Sequence, residues 1–231
     1  MKRLIALALL LVMTFAAVSC KNADEPIDPE KQKEGWANFD DFEADELEGA
    51  SALVFEDAIE SVKGEKIVPV TVLGTKVITG TRYAYLAVTT PRAKQSPRLQ
   101  IVVIDHGVDG VAKIAFRKDL LVAKYIDNEE PSLKTEPSAG AWEIKSKVQV
   151  CDIESQVKDP VVAALTDYDE YLYKPIACAG IKPADNQVAL LCRRTNKHAT
   201  KSDLCMVIAK INGTDGKIIS IDNVPLTDFE G

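Results

Sequence analysis

One offset constrains this chain more than its composition does: slid against itself by 106 residues, it repeats. Trp36 returns as Trp142, Gly74 as Gly180, and Gly107-Val108-Asp109-Gly110 as Gly213-Thr214-Asp215-Gly216. Three coincidences at one offset mark an internal duplication, two copies of one supersecondary unit in series. The units are taken as 34–122 and 138–231, each near the size of a small domain. The linker between them is 123–137, where Pro131 and Pro137 stand among charges.

Within the first unit the apolar positions Leu47, Ala50, Val54, Ala58 and Val62 recur at three and four, which predicts an amphipathic helix over 41–63. β-prone runs follow at 66–77, 81–90, 99–105 and 111–116, joined by glycine- and proline-bearing turns. From Thr81 to Thr89 the pattern alternates. Arg82, Ala84, Leu86 and Val88 are expected on a core face, Thr81, Tyr83, Tyr85 and Thr89 on the outer one. The offset predicts the same series in the second unit, a helix over 150–167 and strands at 172–180, 187–194, 204–211 and 217–223. A helix across one face of a four-stranded antiparallel sheet, five with a short strand at Trp36, is an α+β arrangement. Trp36 and Trp142, at equivalent positions, are expected to pack that first strand.

The run Lys76-Val77-Ile78-Thr79-Gly80, a glycine hairpin followed by the tyrosine-bearing strand, resembles the first inhibitory hairpin of the cystatins, whose signature is Gln-Val-Val-Ala-Gly. The resemblance implies a fold of two tandem cystatin-like domains, each one helix packed on a four- to five-stranded antiparallel sheet. It also implies a papain-like cysteine protease as partner, contacted by Gly35, Lys76, Val77, Ile78, Thr79 and Gly80. This chain departs from the pattern at Lys76, at Thr79, and in the second hairpin, where 106–110 carries neither proline nor tryptophan. The second unit's hairpin, 180–186, is one residue shorter and holds Pro183, so no protease contact is assigned to it. The alternative function, of another class, is a non-inhibitory cell-surface module that binds a protein or acts as a spacer.

The first 19 residues join a basic start, Lys2 and Arg3, to an apolar run ending in Ala17-Val18-Ser19 before Cys20. That is an export signal, and it resembles a bacterial lipoprotein leader. The resemblance implies lipid attachment at Cys20, a tether over 20–33 and membrane anchorage in the cell envelope, at the outer membrane or cell surface. The formal net charge is −7, and the first 20 residues hold two cations and no acid, so the rest carries −9. Such a balance argues against nucleic-acid binding.

No enzyme, cofactor or metal is expected. His106 and His198 are the only histidines, and neither sits in a motif with a nucleophile or metal ligands. Besides Cys20 there are Cys151, Cys178, Cys192 and Cys205, an even number in a chain with an export signal, so disulfides are open. If Thr195 faces Ser202 across its hairpin, Cys192 faces Cys205, expected at a pair without ladder hydrogen bonds. Cys151 with Cys178 would be the second bridge. Cys178 with Cys192, or four buried thiols, are the other readings.

Overall fold

The structure, a computed structural model, describes residues 35–38, 47, 49–92, 96–127, 142–144, 155–199 and 202–230. Cys20, the leader 1–19, the tether 20–33, Cys151 and most of the linker lie outside the described residues. Residues 35–231 form one compact unit.

Two antiparallel sheets make up most of it. The first runs in the order β1 (Ala37–Asn38), β2 (Glu65–Ile78), β3 (Gly80–Pro91), β4 (Arg98–Gly107) and β5 (Ala112–Asp119). The second runs β6 (Tyr171–Lys182), β7 (Gln187–Asn196), β8 (Ser202–Asn212) and β9 (Asp215–Asn223). Described helices are few and short: α1 (Gly49–Ile59), α2 (Lys124–Asp127) and α3 (Ser155–Leu165).

The expectation of two tandem α+β domains, each closed by its own helix and sheet, is overturned. The chain is mostly antiparallel sheet, and the two sheets meet face to face in one core. Leu73, Leu86, Ile101 and Val103 of the first sheet share a cluster with Ile176, Leu191, Met206 and Ile208 of the second. The physical reason is burial on both faces of the central strands. Ala84 to Thr89, Leu99 to Ile104, Val188 to Arg193 and Leu204 to Ala209 are each six consecutive buried residues. A sheet facing water on one side alternates buried and exposed; a sheet covered on both sides cannot. Each fully buried Leu or Ile here contributes roughly 1.5–3 kcal/mol, so the inter-sheet layer is the main source of stability.

The short helices cover the outer faces. α1 buries Ser51, Val54, Phe55 and Ala58, one face at three-four spacing. It lies on Ile67, Val72, Tyr85, Val102 and Ile104. Tyr85, expected outward, is therefore fully buried: its hydroxyl donates to the Ser51 carbonyl at 2.9 Å and its ring meets Phe55 edge-on at 4.9 Å. Thr89, also expected outward, is buried with its hydroxyl 2.6 Å from Gln100 Oε1. α3 likewise lays Val161 and Leu165 on β6 to β8. It comes so close to β9 that a Cβ at Gly216 would stand 2.2 Å from the Pro160 carbonyl oxygen.

The offset of 106 recurs in the geometry. It carries α1 onto α3, the pair Ala37 and Thr75 onto the bridge of Glu143 and Ile181, and the two irregularities in β2, at Pro69/Thr71 and Val72/Gly74, onto those in β6 at Pro175/Ala177 and Cys178/Gly180. Each proline sits at a bulge on a strand with an open edge, where its missing N–H does not break a ladder and discourages further pairing. Trp36 and Trp142 both pack against the shared core.

The halves also hold each other by their tails. After β5 the chain sends Leu120 and Val122 into the core and α2 against β9, where Ser220 Oγ donates to the Tyr125 carbonyl at 3.1 Å. After β9, Val224, Leu226 and Phe229 enter the same core, and Lys118 of β5 donates to the Asp228 carbonyl at 3.1 Å. Each half alone would expose the inter-sheet layer. Residues 35–127 and 142–231 made as separate chains are expected to lack protease-resistant cores, and mixing them to restore one; a resistant core in either half alone contradicts the shared layer.

Candidate functional site

The residues singled out in the first unit come together at one end of the five-stranded sheet. Ile78 pairs with Gly80, leaving Thr79 alone at the β2–β3 tip. Gly80 in turn pairs with Gly107 of β4, so the tip at Thr79 and the β4–β5 turn at 108–111 stand side by side. β1 runs along β2 through Ala37 with Thr75 and Asn38 with Gly74, and Gly35 lies two residues before it. Three segments distant in sequence thus form one rim.

Three apolar side chains mark that rim. Val77 is 48% exposed, Val108 84% and Val111 45%. The turn that carries Val108 is closed by its own hydrogen bonds: Gly107 N–H to the Val111 carbonyl at 3.0 Å, Gly110 N–H to the Gly107 carbonyl at 3.0 Å, and Val111 N–H to Asp109 Oδ1 at 3.1 Å. A side-chain acceptor inside a turn of this kind fixes its shape. Just behind the rim, Arg82 and Asp105 face each other across β3 and β4 and form a two-pronged ion pair at 2.6 and 2.9 Å. This fork-on-carboxylate geometry is the stronger kind of charged hydrogen bond.

Gly80 and Lys76 have structural duties. A Cβ on Gly80 would lie 2.2 Å from the His106 carbonyl oxygen, and its φ is +111°, so glycine is needed to bring β3 against β4 at the tip. Lys76 Nζ is bound to Glu230 at 2.9 Å, from the far end of the chain. That bond is the main cause holding the Glu230 carboxyl below its usual value; partial burial opposes it, and the charges of Lys76 and Arg82 add to it.

Val108 and Glu230 were missed as site residues in the sequence. An apolar residue at the centre of His106-Gly107-Val108-Asp109-Gly110 was a legible signal for the first; for Glu230, 154 residues from its partner, there was none. The second unit's equivalent tip differs. Lys182 pairs with Gln187 across Pro183–Asp185, a 3-10 turn ended by Asn186 at φ 53°, and Lys182 binds Asp185 at 2.6 Å. It has one residue fewer than the stretch between Lys76 and Arg82, as expected from the sequence.

Of the cysteines, Cys192 faces Cys205 in register, as Thr195 faces Ser202. Cys178 faces Leu190, so it is not opposite Cys192. All three described cysteines are buried, and Cys192 and Cys205 are thiols. The Ile211 N–H donates to the Asn186 carbonyl at 2.8 Å. Counting in twos along an unbroken register makes Cys192 and Cys205 a hydrogen-bonded pair, not the other kind that was expected.

Among the described residues no cluster of His, Cys, Asp or Glu could hold a metal ion, and no helix is long and apolar enough to cross a membrane. No protein-family model matches the chain, and no curated protein matches it.

The Lys76–Glu230 pair gives a pH signature. A carboxyl whose folded value is depressed adds stability above its unfolded value and loses it as the pH falls through the folded one. Both side chains are about 30% exposed, at 30% and 29%, so solvent screening keeps the contribution to about 0.2–1 kcal/mol. Glu230→Gln is expected to lower stability by that amount at neutral pH in urea titrations, the gap to the wild type closing below the carboxylate range. A gap that persists at acid pH contradicts the ion pair.

Proposed function

We propose that this chain is an envelope-anchored lipoprotein that works as a protein-binding module, offering the rim formed by the start of β1 and the β2–β3 and β4–β5 tips to a partner protein. The observation that carries the reading is the exposure of Val77, next to the β2–β3 tip, and of Val108, in the β4–β5 turn, on two tips whose backbones meet at Gly80 and Gly107. Exposed apolar side chains on a rigid scaffold lose little freedom on binding, so more of their burial shows as affinity. Anchorage rests on the leader and Cys20, and a tethered binder gains effective concentration at the surface that holds it.

A papain-like cysteine protease is the second reading of the same rim. The convergence of Gly35, Val77 to Gly80 and 106–110 at one end favours it. The missing aromatic anchor at 106–110 and the engagement of Lys76 by Glu230 weigh against it, since a few aromatic or arginine anchors usually carry most of an interface.

Two measurements test the proposal. With a photoreactive phenylalanine analogue at Val77 or Val108 of the full chain, irradiation on intact cells is expected to give one adduct of the same mass from both positions. The analogue at Ile219, which is 44% exposed on β9, is expected to give none. Adducts no stronger than at Ile219 reject the binding rim. Titration against papain-like proteases separates the two readings: inhibition at micromolar levels that Val108→Asp removes selects the protease cleft. For the anchor, the wild-type chain is expected to partition into detergent with membranes and Cys20→Ala to leave them. A wild-type chain found in the aqueous phase with its leader attached rejects lipidation.

A further inference from the structure

The cysteines are the reactive side chains that the rim leaves unused, and the three described ones lie together under α3. Cys192 and Cys205 are register partners near the centre of the second sheet. A hydrogen-bonded antiparallel pair has its Cα atoms about 5.5 Å apart, inside the range of roughly 4.4–6.8 Å that a disulfide spans. Cys178, opposite Leu190, is only a diagonal neighbour of Cys192, and diagonal neighbours stand about 7–8 Å apart. Of the pairings open to the described cysteines, Cys192 with Cys205 is the one whose Cα spacing falls in that range.

Packing does not call for sulfur at these places. In the first half the equivalent of Pro175 facing Cys192 is Pro69 facing Ala87, and Ala87 in turn faces Gln100 where Cys192 faces Cys205. The same scaffold thus holds an alanine and a hydrogen-bonded glutamine in one half and two thiols in the other.

We propose that Cys192 and Cys205 become a cross-strand disulfide, formed during folding by exchange with an external disulfide. One thiolate attacks the external disulfide and releases one of its halves as a thiol; the second thiolate attacks the mixed disulfide and releases the other half. The Cys192–Cys205 bond forms, the external S–S bond breaks, and two protons and two electrons pass from the chain to the oxidant, which leaves as two thiols. The order of events follows from burial. The attacking species is the thiolate, and in the folded chain burial raises both thiols, Cys205 to about 12. Exchange therefore precedes the docking of α3. Cys192 Sγ, which points at the Leu190 carbonyl at 3.9 Å, has to turn about its Cα–Cβ bond toward Cys205. The proposal is independent of the binding rim.

The test is a peptide map of the full chain. The reduced, unfolded chain is refolded with oxidised and reduced glutathione, quenched with iodoacetamide and digested with trypsin without reductant. Cys205 lies in peptide 202–210; Cys192 lies with Cys178 in 159–193, because Lys174 and Lys182 precede prolines. The two peptides are expected to be recovered joined, lighter by two hydrogens than their sum. The join is expected to survive Cys178→Ala and to vanish in Cys192→Ala. The same map on chain exported to a bacterial periplasm needs no refolding and gives a second reading. Alkylated 202–210 from the folded, exported chain overturns the proposal, as does a join that survives Cys192→Ala.

Discussion

The layer of aliphatic side chains between the two sheets is the constraint on which the other features depend. Because it removes the inner faces of both sheets from water, each sheet needs only a short helix on its outer face; α1 and α3 have 11 residues each. Helices of that length are marginal alone, and here they are held by Phe55 on Tyr85 and by Val161 and Leu165 on the cysteine-bearing face. Both tails enter the same layer, each from the other half's side, so the sandwich is closed at its ends as well as through its middle.

A rim built on such a sandwich inherits its rigidity. The β2–β3 tip cannot slide, because Gly80 has no room for a side chain against the His106 carbonyl, and the Arg82 fork fixes β3 to β4 next to it. Glu230, brought by the C-terminal tail, ties Lys76 to the core that the tail itself fills. Rigidity at the tip and packing in the core are therefore one property, and a change in the tail is felt at the rim.

Much of the scaffold was legible in the sequence. The expected strand at 66–77 is Glu65–Ile78, that at 81–90 is Gly80–Pro91, and that at 187–194 is Gln187–Asn196. Turn chemistry and the 106-residue offset placed these, because both are local or self-referential signals. The layer order was not legible. Alternation in Thr81 to Thr89 assigned Tyr83, Tyr85 and Thr89 to water, because a hydroxyl reads as polar, yet Tyr85 and Thr89 satisfy theirs against Ser51 and Gln100 inside the fold. What covers a face is decided by another part of the chain, and no window of neighbouring residues contains it. The same limit hid Glu230 from Lys76, whereas the hairpin register, being local, placed Cys192 opposite Cys205.

The two halves show what the duplicated scaffold fixes and what it leaves free. Helices, bulges, edge prolines and tryptophans coincide at one offset because each meets the shared layer or an open strand edge, where a change costs packing or exposes a ladder. The tips meet neither. One half ends in a single-residue turn beside an exposed valine, the other in a proline-led 3-10 turn closed by its own Lys182–Asp185 pair. A tip that satisfies its charge internally and shows no large exposed apolar side chain has little to offer a partner. A tip whose lysine is drawn off to the tail, leaving Val77 and Val108 forward, has more. Divergence at the tips on a scaffold held constant by its core is the pattern expected when function sits on turns and stability in the layers beneath.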